Sequence, residues 1–463
     1  MEIRLAIAPA RRATLVSTAV ALCLAGIVTL AHAPGYVSYD AIVQWYDGRY
    51  GFTSGYPGHP PLMSLIWGAL EWITPGPAPI FLLQMGLFTA ALCLLVYRLR
   101  LGAILAAVFG ASILLQPYEF VNLARINKDV LGGSAVLLAF CILVPPRVPG
   151  RDRLLWLAGG LLAGALFVRY QFAAVVPVWL WIAFRTGGSM SAKQGVAGLI
   201  IASAGIAAWL TVSVKAPSDL QASLLKIIAF DLAGVAVRVP DTSLAGLDAP
   251  GVDAAELTRR MRAQYSTAKV DTLWLAKDQA MAMIARIPPD QLKHAWVYAA
   301  MNHPGALVAH RFAAFGRVLG LGEMDSCAVV SRAPTAPDPP ELAAVLHTDA
   351  LPRPYSLQVL RWRIFPVESF LFRPVFYALL AGAGLVLTLI WRASTAEMVW
   401  ARWSLLAGLL YLATFFALPQ ACDGRYVFFT VSLTLFSISL ISVEGVRALR
   451  ARSNPTGSLA IKG

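Results

Sequence analysis

Asp40, Asp47 and His59 fall in one short polar and aromatic stretch, 35–61, directly after the first apolar run of the chain. A carboxylate or imidazole in that position could act as a general base on an acceptor hydroxyl or amine. Glu119, Arg125, Lys128 and Asp129 cluster between two later apolar runs, Arg169 follows another, and Asp423 and Arg425 precede the last. Cations there suit a phosphate whose departure they assist, and Glu119, Asp129 and Asp423 are the acids that would support them. Ionisable groups at a bilayer surface are costly, so a set confined to one side is a functional hypothesis by default. Acid and cations together at such a surface point to a lipid-phosphate donor.

Plainer roles stay open for several of these residues. Asp129 equally suits the cap of a helix beginning at Val130, His59 ahead of Pro60 and Pro61 suits a turn, and Asp47 beside Arg49 suits a solvated pair. Gly160 and Gly164, inside an apolar run, read as a close helix contact. His294, His303, His310 and His347 lack the spacing of a zinc protease, and the cysteines lack that of a zinc knuckle. No cofactor follows from spacing, although a divalent cation remains open.

The elements that must hold these residues follow from composition. Of 463 residues, 58% are hydrophobic and 14% charged, and the mean hydropathy is +0.65, which excludes a soluble globule and fits a polytopic membrane protein. Apolar runs at 14–32, 77–97, 101–115, 130–144, 154–168, 172–184, 195–214, 374–391, 403–418 and 427–446 predict an all-α bundle of about ten spans. A shorter run, 60–73, reads as an interfacial or re-entrant helix. The net charge of +13 is distributed by topology, with Arg and Lys concentrated in alternate connections, so nucleic acid is not the expected partner. Both termini are then cytoplasmic, and the polar set named above lies outside.

The span pattern breaks once. Residues 1–214 form an N-terminal membrane module with the catalytic outer loops, 215–370 a mainly helical extracytoplasmic domain, 371–452 the C-terminal membrane helices, and 453–463 a disordered cytoplasmic tail. Within the domain, 254–268, 272–286 and 290–319 read as helices and 331–340 as a loop. Cys23, Cys93 and Cys141 lie in spans, whereas Cys327 and Cys422 fall outside, where two thiols in an oxidising compartment could pair or stay separate.

Tyr39-Asp40, His59-Pro60-Pro61-Leu62, Asn127-Lys128-Asp129-Val130 and Val168-Arg169-Tyr170-Gln171, in that order, resemble the GT-C membrane glycosyltransferases. That group contains the protein O-mannosyltransferases and aminoarabinose transferases. The stretch 296–321, with Asn302-His303-Pro304 and His310-Arg311, resembles the outer-domain helices of bacterial members, and Asp423-Gly424-Arg425-Tyr426 resembles their last outer loop. The resemblance implies Asp40 as catalytic base or acceptor-orienting acid, accompanied by Asp47 and His59. It implies Arg125, Lys128, Arg169 and Arg425 as ligands of a polyprenyl-phosphate-linked sugar, transferred with inversion to an extracytoplasmic glycan, lipid or protein at the inner (plasma) membrane. The chain departs from the commonest pattern, because Asp40 has no adjacent second acid, which puts a divalent metal in doubt. Two other classes compete: a transporter or flippase of a lipid-linked envelope precursor, and a non-catalytic envelope assembly protein.

Overall fold

The computed structural model describes residues 2–52, 60–144, 151–185, 187–213, 217–239, 246–275, 279–323, 327, 369–391, 395–419 and 421–453. His59, His347, the loop 331–340 and the tail after Ser453 lie outside the described residues. Among the described residues the fold is all-α apart from two short strands. In chain order the helices are α1 (Glu2–His32), α2 (Tyr39–Tyr50), α3 (Leu62–Glu71), α4 (Ala78–Leu99), α5 (Ala103–Leu114), α6 (Pro117–Leu123), α7 (Lys128–Ile142), α8 (Arg151–Val168), α9 (Val176–Arg185) and α10 (Met190–Ser213). They continue with α11 (Pro217–Arg238), α12 (Ala254–Gln264), α13 (Thr272–Leu275), α14 (Ala280–Ile284), α15 (Pro289–Asn302) and α16 (Pro304–Val318). The last are α17 (Pro374–Ile390), α18 (Ala396–Ala417) and α19 (Phe428–Ser453).

Every apolar run falls on a helix. Among the described residues four helices are long and apolar enough to cross a bilayer by themselves: Arg12–His32, Ala78–Leu99, Ala396–Ala417 and Gly424–Arg450. α5 and α6, bent by 71°, make a fifth if they are one span. Hydropathy alone suggested about ten. Helix length accounts for part of the difference: the 15 residues of α7 rise only about 22 Å, short of a hydrocarbon core of about 30 Å. The bend between α5 and α6 has a local cause, since Pro117 lacks an N–H and Gln116 caps the new helix by accepting from Glu119 N at 2.9 Å.

One large hydrophobic core joins α1–α10 and α17–α19. The short helix α7 is buried on nearly all sides, and its last carbonyls are satisfied by indoles. Trp400 Nε1 donates to Phe140 O at 2.8 Å and Trp179 Nε1 to Ala139 O at 3.2 Å. The close glycine contact predicted in α8 falls one residue early: a Cβ on Gly159 would lie 2.4 Å from Val196 of α10, whereas Gly160 faces open space and Gly164 only an ordinary contact.

A second, separate core spans Ile228 to Ala314 and packs α11–α16 into an outer unit. The helix expected across 290–319 is broken at His303, because Pro304 cannot continue the hydrogen-bond ladder of α15. This unit docks on the bundle through Phe312 and Phe315, whose rings lie 4.9 and 5.9 Å from that of Phe416 in α18.

Candidate active site

Two short strands, β1 (Tyr36–Val37) and β2 (Arg125–Ile126), pair in parallel, with Tyr36 opposite Arg125 and Val37 opposite Ile126. Each strand runs straight into a helix cap. Ser38 caps α2 by accepting from Ala41 N at 3.4 Å, and Asn127 caps α7 by accepting from Asp129 N at 3.0 Å. Asn127 Nδ2 also donates to Ser38 Oγ at 3.0 Å, so the two caps are locked together. Gln84 of α4 fixes the strand from behind, donating to Leu123 O and Arg125 O at 3.2 and 3.0 Å. Two helix N-termini therefore open side by side, one carrying Asp40 and the other Lys128 and Asp129, where negative charge is favoured by the helix dipoles.

The loop before α19 closes over this pair. Arg425 pairs through Nη2 with Asp40, donates from Nη1 to Ser38 Oγ at 3.3 Å, and holds Nε 3.0 Å from Asp423 and 3.5 Å from Asp129. Arg125 pairs with Asp423 at 3.2 Å, and Arg169 pairs with Asp129. Arg169 also lies 4.6 Å above the Tyr426 ring and 5.3 Å above that of Phe415, two rings that are themselves stacked. Most of these side chains are buried, Asp129 to 1% exposure, but Asp40 keeps 26%. Asp40 is thus the most open acid of these ion pairs. Lys128, half-buried, stands within electrostatic range of Asp40, Arg169, Arg425 and Lys226.

The structure thus brings Asp40, Arg125, Lys128, Asp129, Arg169, Asp423 and Arg425 together. It does not do so for Glu119 or Asp47. Glu119 is fully buried on α6 and braces α19 by accepting from Ser432 Oγ at 2.8 Å. Asp47 shares α2 with Asp40 but lies seven residues, or about 10 Å, further along the helix. Arg49 pairs with Glu71 of α3 at 2.7 Å, next to Trp45.

The resemblance assigns Arg125, Arg169 and Arg425 to a phosphate and sets Asp40 within reach of Arg125, Lys128 or Arg169. In the structure Asp40 lies within electrostatic range of Lys128, each of the three guanidiniums is engaged by a carboxylate, and Arg425 uses both ends of its fork on Asp40, Ser38 and Asp423. Sequence reasoning gave Tyr426 no role beyond its place in the motif and passed over Ser38, although a Ser two residues before an acid is a cap signal. Lys226 and Asp271 were passed over as well, and nothing local marks them.

Among the described residues no three His, Cys, Asp or Glu side chains converge as a metal site. The acids of the cluster are turned to arginines, so the donor set does not fit a divalent cation and no chemical step is routed through one.

The outer unit joins the same loop at a seam. Cys327 and Cys422 form a disulfide with their Cα atoms 5.1 Å apart, buried with Ala268. Cys422 N donates to Ala268 O at 2.8 Å, and Lys269 pairs with Ala421 in an antiparallel bridge. Compared with family models, curated proteins and solved structures, the chain matches none of them.

Proposed function

We propose that the chain is a GT-C-type membrane glycosyltransferase that moves a sugar from a polyprenyl-phosphate carrier to an extracytoplasmic acceptor, with inversion. The observation that carries this reading is the ion pair of Asp40, the most open acid of the paired cluster, with Arg425 at the junction of α2, α7 and the last loop. A carboxylate so oriented suits a base. Asp40 takes the proton of the acceptor group as its heteroatom bonds to the anomeric carbon. The bond from that carbon to the phosphate oxygen breaks, its electron pair leaves with the polyprenyl phosphate, and the anomeric centre inverts. Lys128, the cation of the cluster that keeps solvent access, faces the phosphate, while the buried arginines contribute through their field and hold the acids in place.

The reading places both termini in the cytoplasm, the cluster at the outer leaflet of the plasma membrane, and the shorter apolar helices among the spans. Two experiments test it. Purified protein is incubated with a panel of radiolabelled polyprenyl-phosphate sugars, wild type beside Asp40→Asn; transfer by the first alone supports the assignment, and equal transfer by both sinks it. Asp290, 87% exposed on the outer unit, is replaced by Cys and treated with an impermeant maleimide. Labelling from outside is expected in intact cells, and labelling only after lysis would invert the topology.

A further inference from the structure

The charged cluster of the bundle does not end at the seam with the outer unit. Asp271 stands two residues beyond Lys269, whose bridge to Ala421 ties the unit to the loop carrying Asp423 and Arg425. Its direction is set by its neighbours. Val270 and Leu273 are buried in the core of the outer unit, Leu273 N donates to Val270 O at 3.0 Å, and Thr272 Oγ1 donates to Lys269 O at 3.2 Å. Asp271 is thereby turned away from that core and stays open to solvent. The groups within electrostatic range of its carboxylate are Asp40 and Arg425 of the bundle and Lys226 and Lys269 of the outer unit. Lys226, on α11, is in range of Lys128 as well, so the acid and the lysine link the outer unit to the site from both directions.

We infer that Asp271 and Lys226 form the acceptor half of the site and bind a hydroxyl-bearing sugar opposite Asp40. The inference rests on the glycosyltransferase reading and adds the acceptor class. A carboxyl and an ammonium together supply an acceptor and a donor of hydrogen bonds, the complement of neighbouring hydroxyls on one sugar ring. A cationic amine would meet four cations, Lys128, Lys226, Lys269 and Arg425, against the two acids Asp40 and Asp271, and the excess of like charge disfavours it relative to a neutral hydroxyl. Asp271 is a positioning residue, since the proton goes to Asp40.

The test uses full-length protein with a radiolabelled polyprenyl-phosphate sugar, and n-octyl glucoside or octylamine as acceptor probe. The variants are Asp271→Asn, Asp271→Glu, Asp40→Asn and, as a distant control, Lys293→Ala on the exposed face of α15. Asp271→Asn is expected to raise the KM for octyl glucoside by about tenfold, the loss of one charge-assisted hydrogen bond, and to lower kcat by less. Asp271→Glu should recover part of that loss, and octylamine should be the poorer acceptor. An unchanged KM in Asp271→Asn, or a fall in kcat alone, overturns the inference while Asp40→Asn is inactive. Preference for octylamine overturns the acceptor class. Activity in Asp40→Asn, or no transfer by wild type, removes the glycosyltransferase reading itself and the inference with it.

Discussion

Arg425 and Asp40 are 385 residues apart in the chain and form one ion pair in the fold. The pair ties the start of α2 to the loop before α19, and the same guanidinium also holds Asp423 and Asp129. Two substitutions at Arg425 should therefore fail in different ways. Arg425→Ala leaves acids buried without their shared cation and should cost about 3–5 kcal/mol of stability. Arg425→Lys keeps the charge but cannot fork, so the protein should fold while turnover falls at least about tenfold. Thermal unfolding and sugar transfer, measured on both variants, check the distinction; equal stability and equal turnover would show that the pair is incidental.

Gly48 and Gly68 set how closely α2 approaches α3. A Cβ on Gly48 would lie 2.4 Å from Ser64 O, and one on Gly68 would lie 2.4 Å from Gly48 O. Beside them Trp45 and Trp67 stack with ring centres 5.3 Å apart. Gly48→Ala must push the helices apart, at a cost of about 1–3 kcal/mol or more, and α2 carries Asp40. The expected result is a lower unfolding midpoint with reduced turnover. A wild-type midpoint would mean that the α2–α3 contact adapts.

These contacts also show where the sequence could be read and where it could not. Runs of apolar residues marked the positions of α4, α18 and α19, because the bilayer demands a continuous hydrophobic stretch whatever the partners. The residues of the ion-pair cluster were visible for the same reason, each being an ionisable group where such groups are costly. Their pairing was not. Arg425 finds Asp40 only through the pairing of β1 with β2, the contact between the caps Ser38 and Asn127, and the loop before α19, and no local spacing encodes that. α2 itself was hidden because its polar residues lack a membrane pattern, although Ser38 marks its start. Asp271 and Lys226 were hidden more deeply, since each looks like an ordinary solvated charge until the outer unit is docked.

Asp231 anchors the outer unit. It is fully buried on α11, Arg311 reaches both its oxygens at 2.7 and 3.3 Å, Trp296 Nε1 donates at 2.8 Å, and His310 Nε2 lies 3.3 Å away. Burial raises its carboxyl, but the bonds from His310, Arg311 and Trp296 outweigh it and hold the group below the usual range. A carboxyl depressed on folding contributes fully above its unfolded value of about 4, and the contribution is lost as pH falls through the lower folded value. The wild-type unfolding midpoint should thus drop below about pH 4 more steeply than that of Asp231→Asn. At neutral pH the variant should lose about 3–5 kcal/mol, because Arg311 is left without its acid. Parallel acid limbs for the two proteins would show that Asp231 does not dominate this transition.

The disulfide between Cys327 and Cys422 closes 95 residues of chain and joins the outer unit to the loop of Asp423 and Arg425. A loop of that length restrains the unfolded state by about 4–5 kcal/mol in the chain-entropy treatment. Its local effect bears more on the site. The bond sits against Ala268, beside the Lys269–Ala421 bridge, so cutting it frees the seam that sets Asp271 opposite the bundle. Cys327→Ser should therefore lower the unfolding midpoint, and wild type treated with reductant should fall to the same value. The bundle pairs Arg169–Asp129 and Arg425–Asp40 do not cross the seam, so Cys327→Ser should retain turnover with water as acceptor and lose affinity for a sugar acceptor. After proteolytic cleavage between the two cysteines, the fragments should stay together on a non-reducing gel and separate on a reducing one. Separation without reductant would mean that the thiols are unpaired in solution, and the seam would then rest on the backbone bridge alone.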